Sequence, residues 1–327
     1  MAREIILNRF GGPEVLEARV VADRAPRPGE VRIRQTAIGV NFTDVHGRRG
    51  DYAALRTAPM PLVLGMEAAG VVEALGEGVT SFRVGDRLAY ASQPLGSYRD
   101  LRNFPAARCV AVPSTISDRI AAAVLLKGLT VHMLVRRVFR VSSGAWVVFH
   151  SAAGGVGALA GQWLRAIGAR AIGIVGAEDK IDAARAAGYE AVFVRGRDDW
   201  PARVRELSGG GVPVVYDPVG RETWEGSLSC LAPRGHLVCF GNSSGLVPPF
   251  SVNVLRDRGS LSLSWVRFGD YTADPTELQT AAQELFDAIA NGALRPAAPR
   301  CFPLTEAAEA HRLLESGRTT GTLALIP

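Results

Sequence analysis

The feature that most constrains the fold is a short run in which an apolar strand leads through a glycine turn into an apolar helix. The pattern predicts a strand at Trp146–Phe149 and a helix that continues to about Ile167. Between them, Ala152-x-Gly154-x-x-Gly157 matches the glycine-rich turn that binds a dinucleotide pyrophosphate, with alanine in place of the first glycine. Gly154 lets backbone approach the phosphates, Gly157 lets the helix pack closely, and the helix N-terminus offers free N–H groups. The alternative is a turn that serves packing alone.

The rest of the chain shows two patterns of predicted secondary structure. Further strands are predicted at Ala171–Val175, Ala191–Val194, Val214–Tyr216 and His236–Phe240, with helical segments between them. This alternation predicts a parallel sheet with helices on both faces. The first 120 residues are instead mostly strands and turns, and short strands return after about residue 260. We therefore expect an α/β protein in which a dinucleotide-binding domain, residues 121–260, separates two parts of a β-rich domain, residues 1–120 and 261–327.

The end of the second predicted strand bears on the choice of cofactor. A carboxylate there would bind the ribose 2′-hydroxyl of NAD, but this strand ends at Gly176 and Lys180 follows. Arg195, at the end of the next strand, adds a second positive charge. Glu178 and Asp179 lie close by and weaken the argument. The pattern nevertheless favours a 2′-phosphate, and hence NADPH over NADH.

The basic charge does not indicate a nucleic-acid partner. The chain has a formal net charge of +5, yet only two of its 37 basic residues are lysines, Lys127 and Lys180, and the arginines are scattered. The N-terminal residues show no signal peptide, and no apolar stretch is long enough to cross a membrane. The four cysteines match no paired motif, so we expect free thiols and a cytoplasmic location.

Eight motifs carry a resemblance that runs nearly end to end. They are GGPEVL (11–16), AIGVNFTDVHGRRGDY (37–52), LGMEAAG (64–70), GDRLAYAS (85–92), LLKGLTVHMLV (125–135), HSAAGGVG (150–157), VVYDPVGRETW (214–224) and FGNSSG (240–245). In this order they resemble the zinc-free medium-chain dehydrogenase/reductases of the NADPH:quinone oxidoreductase type, the zeta-crystallin-like quinone reductases.

The resemblance implies a fold, a cofactor and a set of binding residues. The fold would be a GroES-like β-rich catalytic domain plus a Rossmann domain with a doubly wound parallel sheet, and NADPH and the substrate would occupy the cleft between them. The implied cofactor contacts, with the two glycines of the turn, are Asn41, Tyr52, Gly154, Gly155, Val156, Gly157, Gly176, Lys180, Arg195, Phe240, Gly241, Asn242, Ser243, Ser244 and Arg318.

Three positions depart from the pattern of the family. The arginine near the phosphates precedes position 318 by one residue in some members, where this chain has Gly317. A tyrosine common in close relatives is His46 here, which would reshape the substrate cleft. The aromatic residue near the adenosine is replaced by Arg195, which suits a 2′-phosphate.

Zinc is not expected. The places where the related alcohol dehydrogenases keep the first two ligands hold Asn41 and Met66, and neither side chain is a good zinc ligand. A structural zinc lobe needs four closely spaced cysteines, whereas residues 85–115 contain only Cys109. His46 and Glu67 remain, and two groups do not make a site.

Hydride transfer without a metal requires hydrogen bonds to the acceptor. We expect Asn41 and Tyr52 to donate to the carbonyl oxygen of a quinone as negative charge develops there. His46 is a candidate proton source, or else a surface histidine without a role. Asp44 is expected to tie down its loop and Glu67 to be a buried structural carboxylate. Lys127 either lines the cleft or supports packing.

Other functions and an assembly remain open at this point. The same cleft suits reduction of the C=C bond of an α,β-unsaturated carbonyl, and a different class is a low-turnover NADPH- or RNA-binding structural protein. The substrate would be a small quinone or enone, with neither nucleic acid nor membrane as partner. The segment Ser251–Trp265, with alternating Val252/Val254 and Leu261/Leu263, resembles the family's dimer strand. Pairing of such edge strands predicts a homodimer.

Overall fold

The computed structural model describes residues 2–327, which form two compact units. One unit comprises residues 2–127, Thr272–Ala290 and Pro296–Pro327, and the other comprises Gly128–Tyr271 and Asn291–Arg295. The chain therefore changes unit after Lys127 and Tyr271, later than the expected boundaries at 120 and 260. The inclusion of Asn291–Arg295 in the second unit had no signal in the sequence.

The secondary structure alternates as the sequence indicates. In chain order the strands are β1 (Ala2–Leu7), β2 (Leu16–Val21), β3 (Glu30–Val40), β4 (Leu62–Val63), β5 (Glu67–Leu75), β6 (Arg87–Ala91), β7 (Leu101–Pro105), β8 (Val110–Ala111), β9 (Trp146–His150), β10 (Arg170–Val175), β11 (Ala191–Val194), β12 (Val212–Asp217), β13 (Leu231–Cys239), β14 (Ser262–Trp265), β15 (Arg300–Pro303) and β16 (Leu323–Ile326). The α-helices are α1 (Phe42–Arg49), α2 (Ala53–Arg56), α3 (Asp118–His132), α4 (Gly155–Ile167), α5 (Ile181–Ala186), α6 (Trp200–Ser208), α7 (Trp224–Ser229), α8 (Asn253–Asp257), α9 (Phe268–Tyr271), α10 (Pro275–Ala290) and α11 (Ala307–Glu315).

The second unit contains the predicted parallel sheet. Its six strands lie in the order β11-β10-β9-β12-β13-β14, and every neighbouring pair is parallel. The central strands are buried on both faces, which explains their continuous apolar runs. The strand order reverses beside β9, because β10 lies on one side of it and β12 on the other. Ligands of such sheets bind at the carboxyl ends of the strands near this reversal.

The glycine turn after β9 is built for close approach of the helix to the strand. A Cβ atom on Gly157 would lie 2.3 Å from the carbonyl oxygen of Ser151, so a larger residue would force the helix away. Gly161, one turn later, packs against Tyr189, whose hydroxyl donates to the Gly157 carbonyl at 2.7 Å. Helix α4 then ends at Gly168, which adopts φ +82°. The predicted strand–turn–helix unit is confirmed.

The first unit is β-rich, as expected, and carries two sheets. One contains β15, β16, β3, β5, β6 and β8 in that order, with β7 also paired to β3, and the other is β2-β1-β4. Their inner faces share one apolar core with α11. Between β3 and β4 the chain forms two short helices, α1 and α2, that the strand-and-turn description of this region did not include. Asn41 precedes α1, and Gly50 ends it with φ +75°.

The segment from Ser251 to Trp265 differs from the expected strand. Val254 lies in the short helix α8, and the strand β14 begins only at Ser262. Val252 and Val254 therefore alternate along the sequence without forming a strand, because Val252 precedes α8 and Val254 lies within it. The strand that does form is the edge of the parallel sheet. Within residues 2–327, no helix combines the length and the apolar character that a membrane crossing requires.

Candidate active site

The carboxyl edge of the parallel sheet gathers most of the residues predicted to bind a dinucleotide. The glycine turn follows β9, Gly176 follows β10, Arg195 follows β11 and the loop of residues 240–244 follows β13. Since parallel strands end at the same edge, four segments far apart in the sequence meet there. All of these residues belong to the second unit.

The N-terminus of α4 leaves backbone donors available. Gly154 is the residue before the helix, and no side chain caps the helix there. Gly155, Val156 and Gly157 occupy the first turn, where N–H groups have no partner within the helix. The helix dipole adds partial positive charge at this end. This arrangement suits the negatively charged oxygens of a pyrophosphate.

Positive side chains flank the ends of β10 and β11. The Arg195 backbone N–H donates to the Val175 carbonyl at 2.8 Å, which holds Arg195 beside Gly176. A Cβ atom on Gly176 would lie 3.7 Å from the Arg195 guanidinium, which pairs with Glu222 at 3.3 Å. Lys180 is half-buried at the end of the short turn Glu178–Lys180. The cations that the sequence singled out thus lie at this edge.

The 240–244 loop is fastened to the loop after β12. Phe240 N–H donates to the Asp217 carbonyl, Ser243 N–H to that of Pro218, and Ser244 N–H to that of Val219, at 3.0, 3.1 and 2.9 Å. Gly241 and Asn242 lie in the same loop, and a Cβ atom on Gly241 would lie 2.8 Å from the Pro218 carbonyl oxygen. This loop is therefore a fixed wall at the sheet edge.

Three buried polar side chains, His150, Asp217 and Ser227, form hydrogen bonds beneath the carboxyl edge of the sheet. Ser227 Oγ lies 2.9 Å from His150 Nε2 and donates to Asp217 Oδ2 at 2.7 Å, while Asp217 Oδ1 accepts from the N–H groups of Val219 and Gly220. Burial lowers the pKa of His150, although the Asp217 charge opposes this shift. These bonds fix the ends of β9 and β12, which gives Asp217 a structural role.

In the first unit, Asn41 stands at the centre of a cluster of buried polar side chains. Its backbone N–H donates to Asp44 Oδ2 at 2.9 Å, and its side-chain Nδ2 donates to Glu67 Oε1 at 2.8 Å. Lys127 Nζ donates to Asn41 Oδ1 at 2.6 Å and to Glu67 Oε1 at 2.9 Å. Of the two roles open for Lys127, this geometry supports more than packing, since the ammonium bonds a candidate catalytic side chain.

The other two candidate catalytic residues lie next to each other beside α1. His46 Nδ1 lies 2.7 Å from Asp51 Oδ2, and the imidazole contacts the rings of Phe42 and Tyr52 at centroid distances of 5.1 and 5.9 Å. Tyr52 is exposed, and its hydroxyl lies 2.8 Å from Thr43 Oγ1. When Nδ1 carries the proton and donates to Asp51, His46 Nε2 is left to accept or release a proton.

A second part of the buried cluster was missed by the sequence analysis. The Tyr98 hydroxyl donates to Asp44 Oδ2 at 3.2 Å and lies 2.9 Å from His311 Nε2. Arg48 donates to His311 Nδ1 and forms two bonds of 2.7 Å with Glu315. Burial raises the pKa of Asp44 to about 7, and burial followed by the Arg48 charge lowers the pKa of His311 to about 3. Arg48 is fully buried. Nothing in the sequence indicated this, because two consecutive arginines, Arg48 and Arg49, are typical of an exposed surface.

Arg318 lies outside the parallel-sheet unit that holds the glycine turn, Lys180 and Arg195. It belongs to the first unit, is exposed, and its backbone N–H donates to Ser316 Oγ at 3.2 Å. It borders a surface groove with Arg300 and Arg312. Its contact with a cofactor phosphate stays a prediction.

The two positions that hold zinc ligands in the related alcohol dehydrogenases make other contacts here. Met66 accepts a hydrogen bond from Thr43 Oγ1 at 3.8 Å, and Asn41 is committed to Lys127 and Glu67. In the described part of the chain, residues 2–327, no three His, Cys, Asp or Glu side chains are grouped as a metal site. The four cysteines are free, as expected.

Two family models match the chain, and full-length relatives are known. Residues 27–114 match the alcohol dehydrogenase GroES-like domain, and residues 155–287 match the zinc-binding dehydrogenase domain. A quinone oxidoreductase of Pseudomonas aeruginosa is 45% identical and a 2-haloacrylate reductase of Burkholderia sp is 38% identical; the alignments cover 100% of this chain, and 100% and 99% of those proteins. The crystal structure of Escherichia coli quinone oxidoreductase complexed with NADPH, 41% identical, superposes with a TM-score of 0.95 over 99% of this chain and 100% of that chain. The GroES-like and Rossmann-type fold is thereby confirmed.

Proposed function

The chain belongs to the medium-chain dehydrogenase/reductase family, in its quinone oxidoreductase type, and from this premise we propose that it reduces quinones with NADPH and without zinc. NADPH supplies the hydride, a proton completes the reaction, and the products are NADP⁺ and a hydroquinone. The observation that carries the proposal is the carboxyl edge of the parallel sheet, where an uncapped glycine turn and two cations converge. The acceptor is inferred from the quinone oxidoreductases among the relatives.

The residues of the second unit fit a dinucleotide phosphate. The glycines at 154 and 157 leave the turn without Cβ atoms, and the first turn of α4 offers N–H donors to the pyrophosphate. Lys180 and Arg195 supply charge for a 2′-phosphate. Gly176 carries no carboxylate that would repel that phosphate. We assign binding of the remaining cofactor atoms to the 240–244 loop and, in the first unit, to Asn41, Tyr52 and Arg318.

The residues of the first unit would assist the acceptor. Asn41 Nδ2 has one hydrogen bonded to Glu67, and its second hydrogen can bond a quinone oxygen as that oxygen gains negative charge. The exposed Tyr52 hydroxyl is a second donor. His46, oriented by Asp51, would deliver the proton from Nε2 and regain one from water. A quinone needs little further activation for hydride transfer, because the ring of the hydroquinone product is aromatic.

The proposal is tested by following the absorbance of NADPH with 1,4-benzoquinone as acceptor, with and without a chelator. We expect chelator-insensitive oxidation of NADPH and slower oxidation of NADH. Absence of turnover with quinones and enones, despite tight NADPH binding, would instead favour a low-turnover cofactor-binding or RNA-binding protein. Activity that a chelator removes and zinc restores would contradict the zinc-free mechanism.

A second activity is favoured by one relative and one contact. The Burkholderia 2-haloacrylate reductase is similar over the whole chain, and reduction of such a C=C bond needs a proton at the carbon next to the carbonyl. His46 with Asp51 offers a proton donor. Faster turnover of a simple enone than of 1,4-benzoquinone, with the enone turnover lost in His46→Phe, would assign the protein to double-bond reduction.

We further propose that the protein is a cytoplasmic homodimer joined through β14. This strand is the edge of the parallel sheet, and beside it Trp265, Leu246 and Phe250 are exposed at 53%, 65% and 40%. An unpaired strand edge next to large apolar side chains is a surface that a second copy can cover by a two-fold axis. The free cysteines suit a reducing compartment.

The dimer is tested with Trp265→Arg, which places a charge in the proposed interface. We expect light scattering to give about twice the 34.7 kDa chain mass for the unchanged protein and a single chain mass for the variant. Val20→Arg, at a similarly exposed apolar side chain of β2, is the matched control and should remain dimeric. A monomeric unchanged protein, or a variant that stays dimeric, would refute this interface.

A further inference from the structure

Deepening the proposed function, on which this inference rests, we propose that Lys127 and Glu67 are positioning residues that hold the Asn41 amide so that one N–H faces the carbonyl oxygen of the quinone. The quinone would touch Asn41, while Lys127 and Glu67 would act only through it.

Asn41 is held at three points. Asp44 accepts from its backbone N–H, Lys127 donates to Oδ1 at 2.6 Å, and Glu67 accepts from Nδ2 at 2.8 Å. An asparagine amide has two N–H donors on Nδ2, and Glu67 uses one. Among residues 2–327 no group accepts the other. One donor is therefore left with its direction fixed by the rest of the amide.

The two charged partners also decide which way the amide faces. In the observed orientation the oxygen meets an ammonium and the nitrogen meets a carboxylate. Rotating the amide by half a turn would bring its oxygen against Glu67 and its N–H group against Lys127, so both contacts would become repulsive. Because all three side chains are buried, with Asn41 and Lys127 each 6% exposed, water screens these interactions little. The ion pair thus selects a single amide orientation.

Glu67 is itself held in place by backbone. Its Oε2 accepts from Leu126 N–H at 2.7 Å, one residue before Lys127. A Cβ atom on Gly39 would lie 2.2 Å from Glu67 Oε1, so only glycine at that position leaves room for the carboxylate. The carboxylate therefore cannot follow Asn41 if the amide turns. The clamp formed by Lys127 and Glu67 is therefore rigid where Glu67 holds Asn41 Nδ2.

A purely structural ion pair makes a different prediction from a positioning pair. A structural pair would contribute to stability and would change turnover by the same factor whatever residue occupies position 41. A positioning pair changes turnover only while the Asn41 amide is present. A double-mutant cycle separates the two, because residues that act through one another show non-additive effects.

The cycle uses Lys127→Met, Asn41→Ala and their combination, assayed with NADPH and 1,4-benzoquinone. Removing the ammonium should lower kcat about tenfold, less than complete loss of a donor, with little change in NADPH affinity. In the Asn41→Ala background the same change should alter kcat by less than about twofold. Equal effects in both backgrounds would overturn the proposal. The thermal unfolding midpoint of each variant is measured as well, so that kcat is compared only between proteins that are folded at the assay temperature.

A second variant guards against misfolding. Lys127→Met leaves Glu67 buried without its cation, whereas Lys127→Met with Glu67→Gln removes both charges together. The single carbonyl oxygen of the glutamine can accept from either Asn41 Nδ2 or Leu126 N–H, the two donors that the Glu67 oxygens now serve separately. The double variant should show the same loss of kcat, because the donor to Asn41 Oδ1 is missing in both. Full activity of this double variant would overturn the proposal.

A measurement without turnover tests the clamp even if quinones prove not to be substrates. The side-chain amide signals of Asn41 in a ¹H–¹⁵N spectrum are identified by their absence in Asn41→Ala. We expect their exchange with solvent to accelerate about tenfold in Lys127→Met, because the amide is then free to rotate. Unchanged exchange would contradict the clamp. The two proposals can fail separately. If the amide exchanges faster in Lys127→Met but the wild-type protein does not reduce quinones, the clamp is supported and the quinone assignment is wrong.

Discussion

Replacing both Lys180 and Arg195 with alanine is expected to weaken NADPH binding about 100-fold or more while NADH binding changes less than about threefold, because a charge-assisted hydrogen bond is worth about 1.5–3 kcal/mol. Both residues lie at the carboxyl edge, and Arg195 is fixed beside Gly176 by its backbone bond to Val175. The Arg195 side chain is half-buried and its partner Glu222 is exposed, so loss of this ion pair should cost little stability. Fluorescence titration with each cofactor measures the two affinities.

The matched control is Arg185→Ala, which removes an exposed arginine of α5 that faces Asp182. It should leave the affinity for both cofactors within about twofold, since exposed ion pairs contribute little. Equal weakening of NADPH and NADH in the double variant would show that the two cations do not recognise the 2′-phosphate. Each single variant should account for part of the effect.

Asp44→Asn is expected to remove a large pH dependence of stability. Burial raises the pKa of Asp44 from 3.8 to about 7 in the folded protein, whereas the unfolded chain ionises near the ordinary value. The folded state therefore binds the extra proton, and the stability that Asp44 contributes is full below about pH 4 and is lost as the pH rises to about 7. Since one pKa unit corresponds to 1.36 kcal/mol, the loss relative to Asp44→Asn is about 4 kcal/mol.

The measurement is urea unfolding of both proteins at several pH values from 4 to 8. The groups facing Asp44 are Tyr98, which donates to it, the Glu67 and Lys127 charges, and the Asn41 backbone N–H. The His311 imidazole, with its pKa lowered to about 3, destabilises both proteins alike as the pH falls and cancels in the difference. Parallel stability curves for the two proteins would rule out a raised pKa for Asp44.

A control for that comparison is Asp257→Asn at an exposed site of α8. Surface substitutions usually change stability by less than about 0.5 kcal/mol, so this variant should follow the unchanged protein at every pH. A pH-dependent difference of several kcal/mol in the control would show that the method, rather than Asp44, produces the effect.

The parallel sheet was predictable because its signals are local. An apolar strand, a glycine turn and a helix stand next to each other along the chain from Trp146 to Ile167, and topology then places the ends of the other parallel strands at the same edge. The helix α8 was not predictable in this way. Val252 and Val254 alternate like a strand, and nothing local distinguishes five helical residues from the start of a strand.

The buried cluster in the first unit was only partly visible in the sequence. Asn41 and Glu67 were singled out by motif, but their hydrogen bond joins residues 26 positions apart, and Lys127 lies 60 positions beyond Glu67. The contact between Arg48 and His311 spans 263 positions. Pairings over such distances depend on how β5, α3 and α11 pack. Periodicity and motif spacing contain no information about that packing.

The division of the chain has a consequence for how the protein can change. Gly176, Lys180 and Arg195 lie in one compact unit, and Asn41, His46 and Tyr52 lie in the other. In the proposed function, the first set selects the electron donor and the second serves the electron acceptor. A substitution at Lys180 or Arg195 therefore leaves in place every residue that would bond the acceptor. Donor and acceptor preference would be inherited as separate traits, so a lineage could acquire a new oxidant while it keeps its reductant.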